Sequence, residues 1–336
     1  MILVTGTAGF IGFHLAKKLL EEGHDLIGYD NVNHYYDPSL KEARLKILSD
    51  WKTFKFYRKD LVDEQALAAV FDDNSPKILV HLAAQAGVRY SLENPKAYME
   101  SNSIGFFNIL EACRQHKVEH LIYASSSSVY GMNKKMPFST QDNVDHPVSL
   151  YGATKRSNEL MAHAYSHLYA IPTTGLRFFT VYGPWGRPDM ALFLFTKAIL
   201  EGKPIEVYNH GKMKRAFTYI NDIISGVLAM LNSPPQAMKQ WNDQTPTPSS
   251  SNAPFRIYNI GNNTPVNLMD FVQAIENKLE MKAEIRFKPL QPGDVISSHA
   301  DIGDIIKDFD YRPKTNVEQG VAQFIDWYRS YYKVQP

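Results

Sequence analysis

The sequence predicts an α/β protein, a doubly wound parallel sheet joined to a smaller mixed α/β lobe. Three observations predict it. Short apolar runs alternate with helical patterns through the first half of the chain. The runs are near-continuously apolar rather than alternating, as strands covered on both faces must be. A glycine-rich turn joins the first run to the first helical pattern, a connection that in such sheets lies at the ligand-bearing edge.

The elements follow in order. Strands are expected at 2–4, 25–29, 55–58, 78–82, 120–124 and 173–178, each a compact apolar or β-branched run. Helices are expected at 11–22, 64–74, 95–116 and 150–169, where apolar residues recur at helical spacing. Together they assign residues 1–178 to the sheet domain. After about residue 179, Pro, Gly and aromatic residues become dense and the helices shorten. Residues 179–336 therefore read as the smaller, substrate-covering lobe, with segments near 216–232 and 256–261 returning to the sheet domain. The stretch 233–254, rich in Pro, Ser, Asn and Gln, reads as a surface loop without chemistry.

Composition narrows the function classes. The 36 Lys and Arg against 35 Asp and Glu leave a formal charge of +1, which makes no case for nucleic acid or a membrane surface as partner. No apolar run approaches the roughly 20 residues that span a bilayer. Cys113 is the single cysteine, so no intrachain disulfide forms, in keeping with a reducing compartment. Met1 leads directly into a strand without a basic, apolar leader, and a cytoplasmic protein is expected. The 11 histidines show no metal-ligand spacing, so no metal is expected, and His81 reads as a packed core residue.

The cofactor site rests on Gly6, Gly9 and Gly12, spaced G-x-x-G-x-x-G between strand and helix. Glycines let the backbone turn sharply against a pyrophosphate, and the helix N-terminus supplies amide donors and the positive end of its dipole. Asp30 ends the second strand at the distance where a carboxylate meets the adenosine ribose hydroxyls. A carboxylate there repels a 2′-phosphate, so NAD is expected rather than NADP. Asp60 and Leu61 are expected to flank the adenine. Leu82, Ala83, Ala84 and Gln85 end the fourth strand with small residues that allow close approach.

Tyr151 and Lys155 stand at i and i+4, on one face of a helix. A free tyrosine, with a pKa of about 10, is a poor base near neutrality. A lysine and a positively charged nicotinamide both favour its phenolate. The run Ser125-Ser126-Ser127-Ser128 follows the fifth strand and brings hydroxyls to the same sheet edge.

Taken together, the glycine turn, Asp30, the serine run and the Tyr151/Lys155 pair resemble the extended short-chain dehydrogenase/reductase superfamily, and within it the NAD-dependent epimerase/dehydratase family with its Rossmann fold. The stretches 33–41, 83–91 and 181–191 (NHYYDPSLK, AAQAGVRYS and VYGPWGRPDMA) are similar to the UDP-glucuronate 4-epimerases. The resemblance implies a UDP-sugar substrate and inversion at its carbon 4. Tyr151 would take the 4-hydroxyl proton as carbon 4 gives its hydride to NAD⁺. Lys155 would hold the ribose and tune Tyr151, and Ser126 would hydrogen-bond the reacting oxygen. The keto sugar would then turn over and be reduced on its other face.

The resemblance further implies that Phe10, Ile11, Asn31, Asn33, Asn102, Ser125 and Phe178 join the cofactor site. Ser127, Ser128 and Thr180 would face the sugar, Arg187 and Arg215 the diphosphate, and Asp294 the uridine; Arg89 reads either as a partner of the substrate carboxylate or as half of a structural ion pair. It also implies a homodimer paired through helices 95–116 and 150–169. Dehydratase relatives carry an Asp-Glu pair after the catalytic Thr, and decarboxylase relatives a Glu. This chain has Ser127 and Ser128, which favours epimerisation. The competing readings are a 4-epimerase of UDP-glucose or UDP-N-acetylglucosamine, a net oxidoreductase that releases reduced cofactor, and a non-catalytic NAD-binding protein.

Overall fold

The computed structural model describes residues 1–290 and 297–334. The first lobe begins β1 (Ile2–Thr5), α1 (Phe10–Glu21), β2 (Leu26–Asp30), α2 (Ser39–Leu48), β3 (Phe54–Arg58), α3 (Glu64–Asn74) and β4 (Ile78–His81). It continues through α4 (Tyr90–Glu93), α5 (Pro95–Tyr98), α6 (Gly105–Gln115), β5 (His120–Ser126), α7 (Leu150–Tyr169) and β6 (Thr173–Phe178). Beyond it lie β7 (Thr180–Tyr182), α8 (Ala191–Leu200), β8 (Ile205–Val207), β9 (Lys214–Arg215), β10 (Phe217–Tyr219), α9 (Ile220–Leu231) and β11 (Phe255–Ile260). The described chain closes with β12 (Val266–Asn267), α10 (Leu268–Leu279), β13 (Ile285–Phe287), β14 (Ser297–Ser298), α11 (Gly303–Phe309) and α12 (Val317–Tyr332).

Seven strands form one sheet in the order β11-β6-β5-β4-β1-β2-β3, every neighbouring pair parallel. From β1 the chain winds outward through β2 to β3, then restarts on the other side at β4. The crevice where the winding reverses lies between β1 and β4, and in open α/β sheets this is where ligands bind. Strand residues point alternately to the two faces, so two cores form. Leu3, Ile27, Leu79 and Leu121 pack on α3 and α6, while Val4, Leu26, Val80 and Ile122 share a core with α1 and α9. β11, arriving late in the chain, completes the sheet in register with β6, Asn259 lying opposite Arg177. The remaining strands pair in small sheets: β7 with β10, β8 with β13, and β9 between β12 and β14. With antiparallel β12–β9 and parallel β8–β13 and β9–β14, the second lobe is mixed.

Two segments differ from expectation. The helix expected at 95–116 is α5, a π-helical stretch Met99–Ile104, and α6. The wider turn falls at Asn102, a buried side chain that bonds Gln85 N and O and Thr154 Oγ1. π-turns of this kind cluster at functional sites. The surface loop at 233–254 is exposed through most of its length, but Ser249, Ser250 and Ser251 are buried. Ser249 O accepts from Ile257 N, and Ser251 Oγ pairs with His163, so the loop's end is fastened to β11 and α7.

Candidate active site

The glycine turn is built by close backbone approach. Gly6 has φ +77°, and a Cβ there would stand 2.7 Å from Ala83 N; at Gly12 it would stand 2.0 Å from Gly6 O. Only glycine lets the turn fold onto itself and onto the end of β4. No side chain caps the N-terminus of α1 at Gly9, leaving its first amides directed at the cavity. Asp30 Oδ2 accepts from Ala8 N at 3.0 Å and Oδ1 from Val32 N at 2.8 Å. Each oxygen keeps a further lone pair for a ligand hydroxyl, and burial pushes the carboxyl above its usual pKa. Asn31 Nδ2 donates to Asp60 Oδ2 at 2.7 Å, and Lys41 Nζ donates to Asn33 O and Oδ1. These bonds set the rim beyond β2.

The reacting groups come from β5 and α7. Ser149 Oγ accepts from Gly152 N at 3.0 Å, starting α7 two residues before Tyr151. Tyr151 shares a side-chain hydrogen bond with Ser126, whose Oγ also accepts from Ser128 N at 3.1 Å. Lys155 is buried and its Nζ donates to Ala124 O at 2.9 Å; desolvation lowers its pKa to about 8. Burial raises the Tyr151 phenol above 10, while the Ser126 bond and the charge of Arg187 pull it down. Arg187 thus bears on the phenol in the chain alone, while the ammonium of Lys155, the cation named from the sequence, donates to a strand carbonyl.

Arg187, expected at a diphosphate, is tied to Asp189 through Nε at 3.0 Å and through Nη2. Tyr35 donates to the same carboxylate at 2.9 Å, and its ring lies 5.9 Å from the guanidinium. Arg89 lies over the Tyr208 ring at 5.0 Å, a contact between the two lobes.

One cavity of about 1070 Å³ runs from the glycine turn and Asp30 past Ser126 and Tyr151 to Arg187 and Arg215. Ser127, Ser128, Thr180 and Arg89 also line it, as do Phe10, Ile11, Asn31, Asn33, Asp60, Leu61, Ser125 and Phe178. Asn102 does not line it; it braces Gln85 from behind. Asp294 lies outside the described residues. The donor set suits an NAD molecule: uncapped amides for a pyrophosphate and a carboxylate for ribose hydroxyls. Sequence reasoning missed Glu159, on α7, which takes a 2.6 Å bond from Ser125 Oγ and pairs with Arg177. The signal available was its spacing, four residues beyond Lys155. His81 is a core residue as expected: its Nδ1 lies 2.8 Å from Thr5 Oγ1, and burial lowers its pKa to about 3. Among the described residues there is no cluster of His, Cys, Asp and Glu fit for a metal ion, and no helix long and apolar enough to cross a membrane.

Protein CapI of Staphylococcus aureus is 58% identical over 332 residues, 99% of either chain. UDP-glucuronate 4-epimerase 1 of Arabidopsis thaliana is 46% identical over 336 residues, 98% of this chain and 77% of that one. The fold is similar to the crystal structure of UDP-glucuronic acid 4-epimerase from Bacillus cereus in complex with UDP-glucuronic acid and NAD. The TM-score is 0.87 at 32% identity, with 98% of this chain and 99% of that one covered. Residues 2–261 match the NAD dependent epimerase/dehydratase family, and the chain belongs to that family.

Proposed function

We propose that the protein inverts carbon 4 of UDP-glucuronate to give UDP-galacturonate, keeping NAD bound through the cycle. The observation that carries this reading is the Ser126–Tyr151 contact in a cavity continuous with the glycine turn. Relatives named for this reaction, among them a neighbour crystallised with UDP-glucuronic acid and NAD, support it. Bound NAD supplies a two-electron acceptor that returns what it takes. Tyr151 would accept the 4-hydroxyl proton and return it to the same oxygen once the turned sugar is reduced on the opposite face of carbon 4; Ser126 would orient that oxygen. Lys155 would hold the nicotinamide ribose, with Asp30 on the adenosine ribose. Ser127 and Ser128 place no carboxylate beside the sugar, so nothing at these two positions supplies an acid for elimination or decarboxylation. Arg215 serves the diphosphate.

The architecture extends the proposal. Residues 1–178, with α9 and β11, form the NAD-binding domain, and most of 179–336 the UDP-sugar lobe. Exposed Ile104 and Phe107 near the start of α6, and Leu160 and Leu168 on α7, suit pairing with a second copy as a homodimer. The lone buried Cys113 suits a cytoplasmic enzyme. Incubation with UDP-glucuronate, UDP-glucose and UDP-N-acetylglucosamine in turn, read by NMR, tests the substrate. Inversion of UDP-glucuronate above the others is expected; preference for either neutral sugar overturns the choice.

A further inference from the structure

The helix that carries the catalytic pair grips the catalytic strand at three successive residues. Tyr151 hydrogen-bonds Ser126, Lys155 Nζ donates to Ala124 O at 2.9 Å, and Glu159 Oε1 accepts from Ser125 Oγ at 2.6 Å. Residues at i, i+4 and i+8 share one face of a helix, so α7 presents a stripe of three polar groups to the residues 124–126. Only the first two belong to the catalytic machinery proposed above.

Glu159 is itself anchored. Arg177, on β6 opposite Ser125, donates through Nε to Oε1 at 2.8 Å and through Nη2 to Oε2 at 2.9 Å, and both side chains are buried. Arg156 donates to Oε2 at 3.1 Å. Arg177 Nη1 also donates to Tyr130 OH at 3.1 Å, and Tyr130 donates to Asn259 Oδ1 at 2.6 Å. Asn259 Nδ2 donates to Phe138 O and Asp301 O at 2.8 and 2.9 Å. The chain of bonds crosses β5, β6 and β11 and ends on the segment that precedes α11.

We propose that Glu159 is a positioning residue for catalysis: by holding Ser125 it fixes Ser126 against Tyr151 and sets the turn that carries Ser127 and Ser128. A buried ion pair is a poor source of stability, since desolvating both charges offsets most of their attraction. Its bidentate geometry fixes direction instead. Ser126 Oγ accepts from Ser128 N, so a shift at Ser125 is passed to the hydroxyl facing the phenol and to the next two serines. The inference rests on the proposed epimerase reaction at this site.

The test compares Ser125→Ala, Glu159→Gln and Ser126→Ala with the wild type, each purified with its bound nucleotide and assayed on UDP-glucuronate from acid to alkaline pH. Ser125→Ala removes the bond while leaving the Glu159–Arg177 pair intact, so it decides alone should Glu159→Gln fail to fold. Both are expected to lower kcat about 10- to 100-fold, the cost of a small misplacement of reacting groups, with KM nearly unchanged.

Tyr151 faces Arg187 and the edge of Tyr98, while Glu159 faces Arg177, Arg156, Tyr123 and Tyr130. Loosening Ser126 withdraws a bond that favours the phenolate, so the acidic limb of the pH–kcat profile moves to higher pH. Adding Ser125→Ala to Ser126→Ala moves it no further, because the two act through one contact. An unmoved limb and wild-type kcat in folded Ser125→Ala overturn the proposal, and so does full additivity of the two serine variants. Wild type inactive on UDP-glucuronate overturns the epimerase reading, and this inference with it.

Discussion

At Tyr151 burial and charge act in opposite directions. Desolvation lifts the phenol above 10, and the Ser126 bond and Arg187 oppose it. A base must be ionised to accept a proton, so kcat rises with pH through the phenol's ionisation. Arg187→Met removes the opposing charge and is expected to move that limb to higher pH; an unmoved limb separates Arg187 from the phenol. Tyr151→Phe keeps the ring and removes the acceptor. A kcat loss of about 10²–10⁴-fold is expected, with bound nucleotide retained, and near-normal turnover removes Tyr151 from the chemistry. Oxidised glucuronate is a β-keto acid, prone to lose carbon dioxide when an acid stands beside it. Ser127→Glu supplies one, and a raised share of UDP-pentose in the chromatographed products is the expected outcome; loss of activity without pentose counts against these serines facing the carboxylate. The gathering of Tyr151, Lys155 and Asp30 around one cavity was legible in the sequence because the chemistry proposed for them is tied to fixed local spacings. Arg187's bearing on the phenol and the Glu159–Arg177 pair were not, because each depends on strands brought together across the sheet.

The six strands expected in the first half fall within two residues of those observed, since a doubly covered strand is an apolar run that little else resembles. α2 was missed, its charged sequence giving a weak apolar stripe. The two- and three-residue strands of the second lobe are too short to carry a period. The π-turn at Met99–Ile104 was illegible because it accompanies a bond from Asn102 to the distant Gln85, which no local pattern announces. The turn from β1 to α1 was legible, and its glycines are tightly constrained. Gly12→Ala would set a Cβ 2.0 Å from Gly6 O. It is expected to abolish nucleotide retention, checked by assaying NAD released from denatured protein; a normal content contradicts the proposed placement of the pyrophosphate. On α6, Phe107→Glu places a charge in the proposed pairing face. Light scattering should report a dimer for the wild type and a monomer for the variant; a wild-type monomer rules the homodimer out.

Across the whole molecule, buried neutral histidines tie stability to pH. His81 touches Thr5 Oγ1, and His120 lies between Leu231 O and Thr174 Oγ1; burial lowers their pKa values to about 3 and about 4. Unfolded histidines bind protons below about 6.5 while these stay neutral. Stability is therefore full above that value and falls as pH drops toward about 4, by up to about 1.4 kcal/mol per pH unit for each histidine. Urea midpoints that decline between about pH 7 and pH 5 are expected, and a flat series contradicts the burial. The proposed division of labour, a sheet edge for the nucleotide and a lobe over the sugar, rests on the change in composition near residue 179. The return of the segment near 256–261 to the sheet was expected, but the pairing of β11 with β6 is long-range and the local pattern does not name that partner. The most direct test of the proposed chemistry uses UDP-glucuronate deuterated at carbon 4, given to the purified protein without added nucleotide. NMR should show UDP-galacturonate with the deuterium still on carbon 4 and no reduced nucleotide accumulating. Deuterium lost to water, or reduced nucleotide building up with turnover, would contradict a self-contained oxidation and return at that carbon.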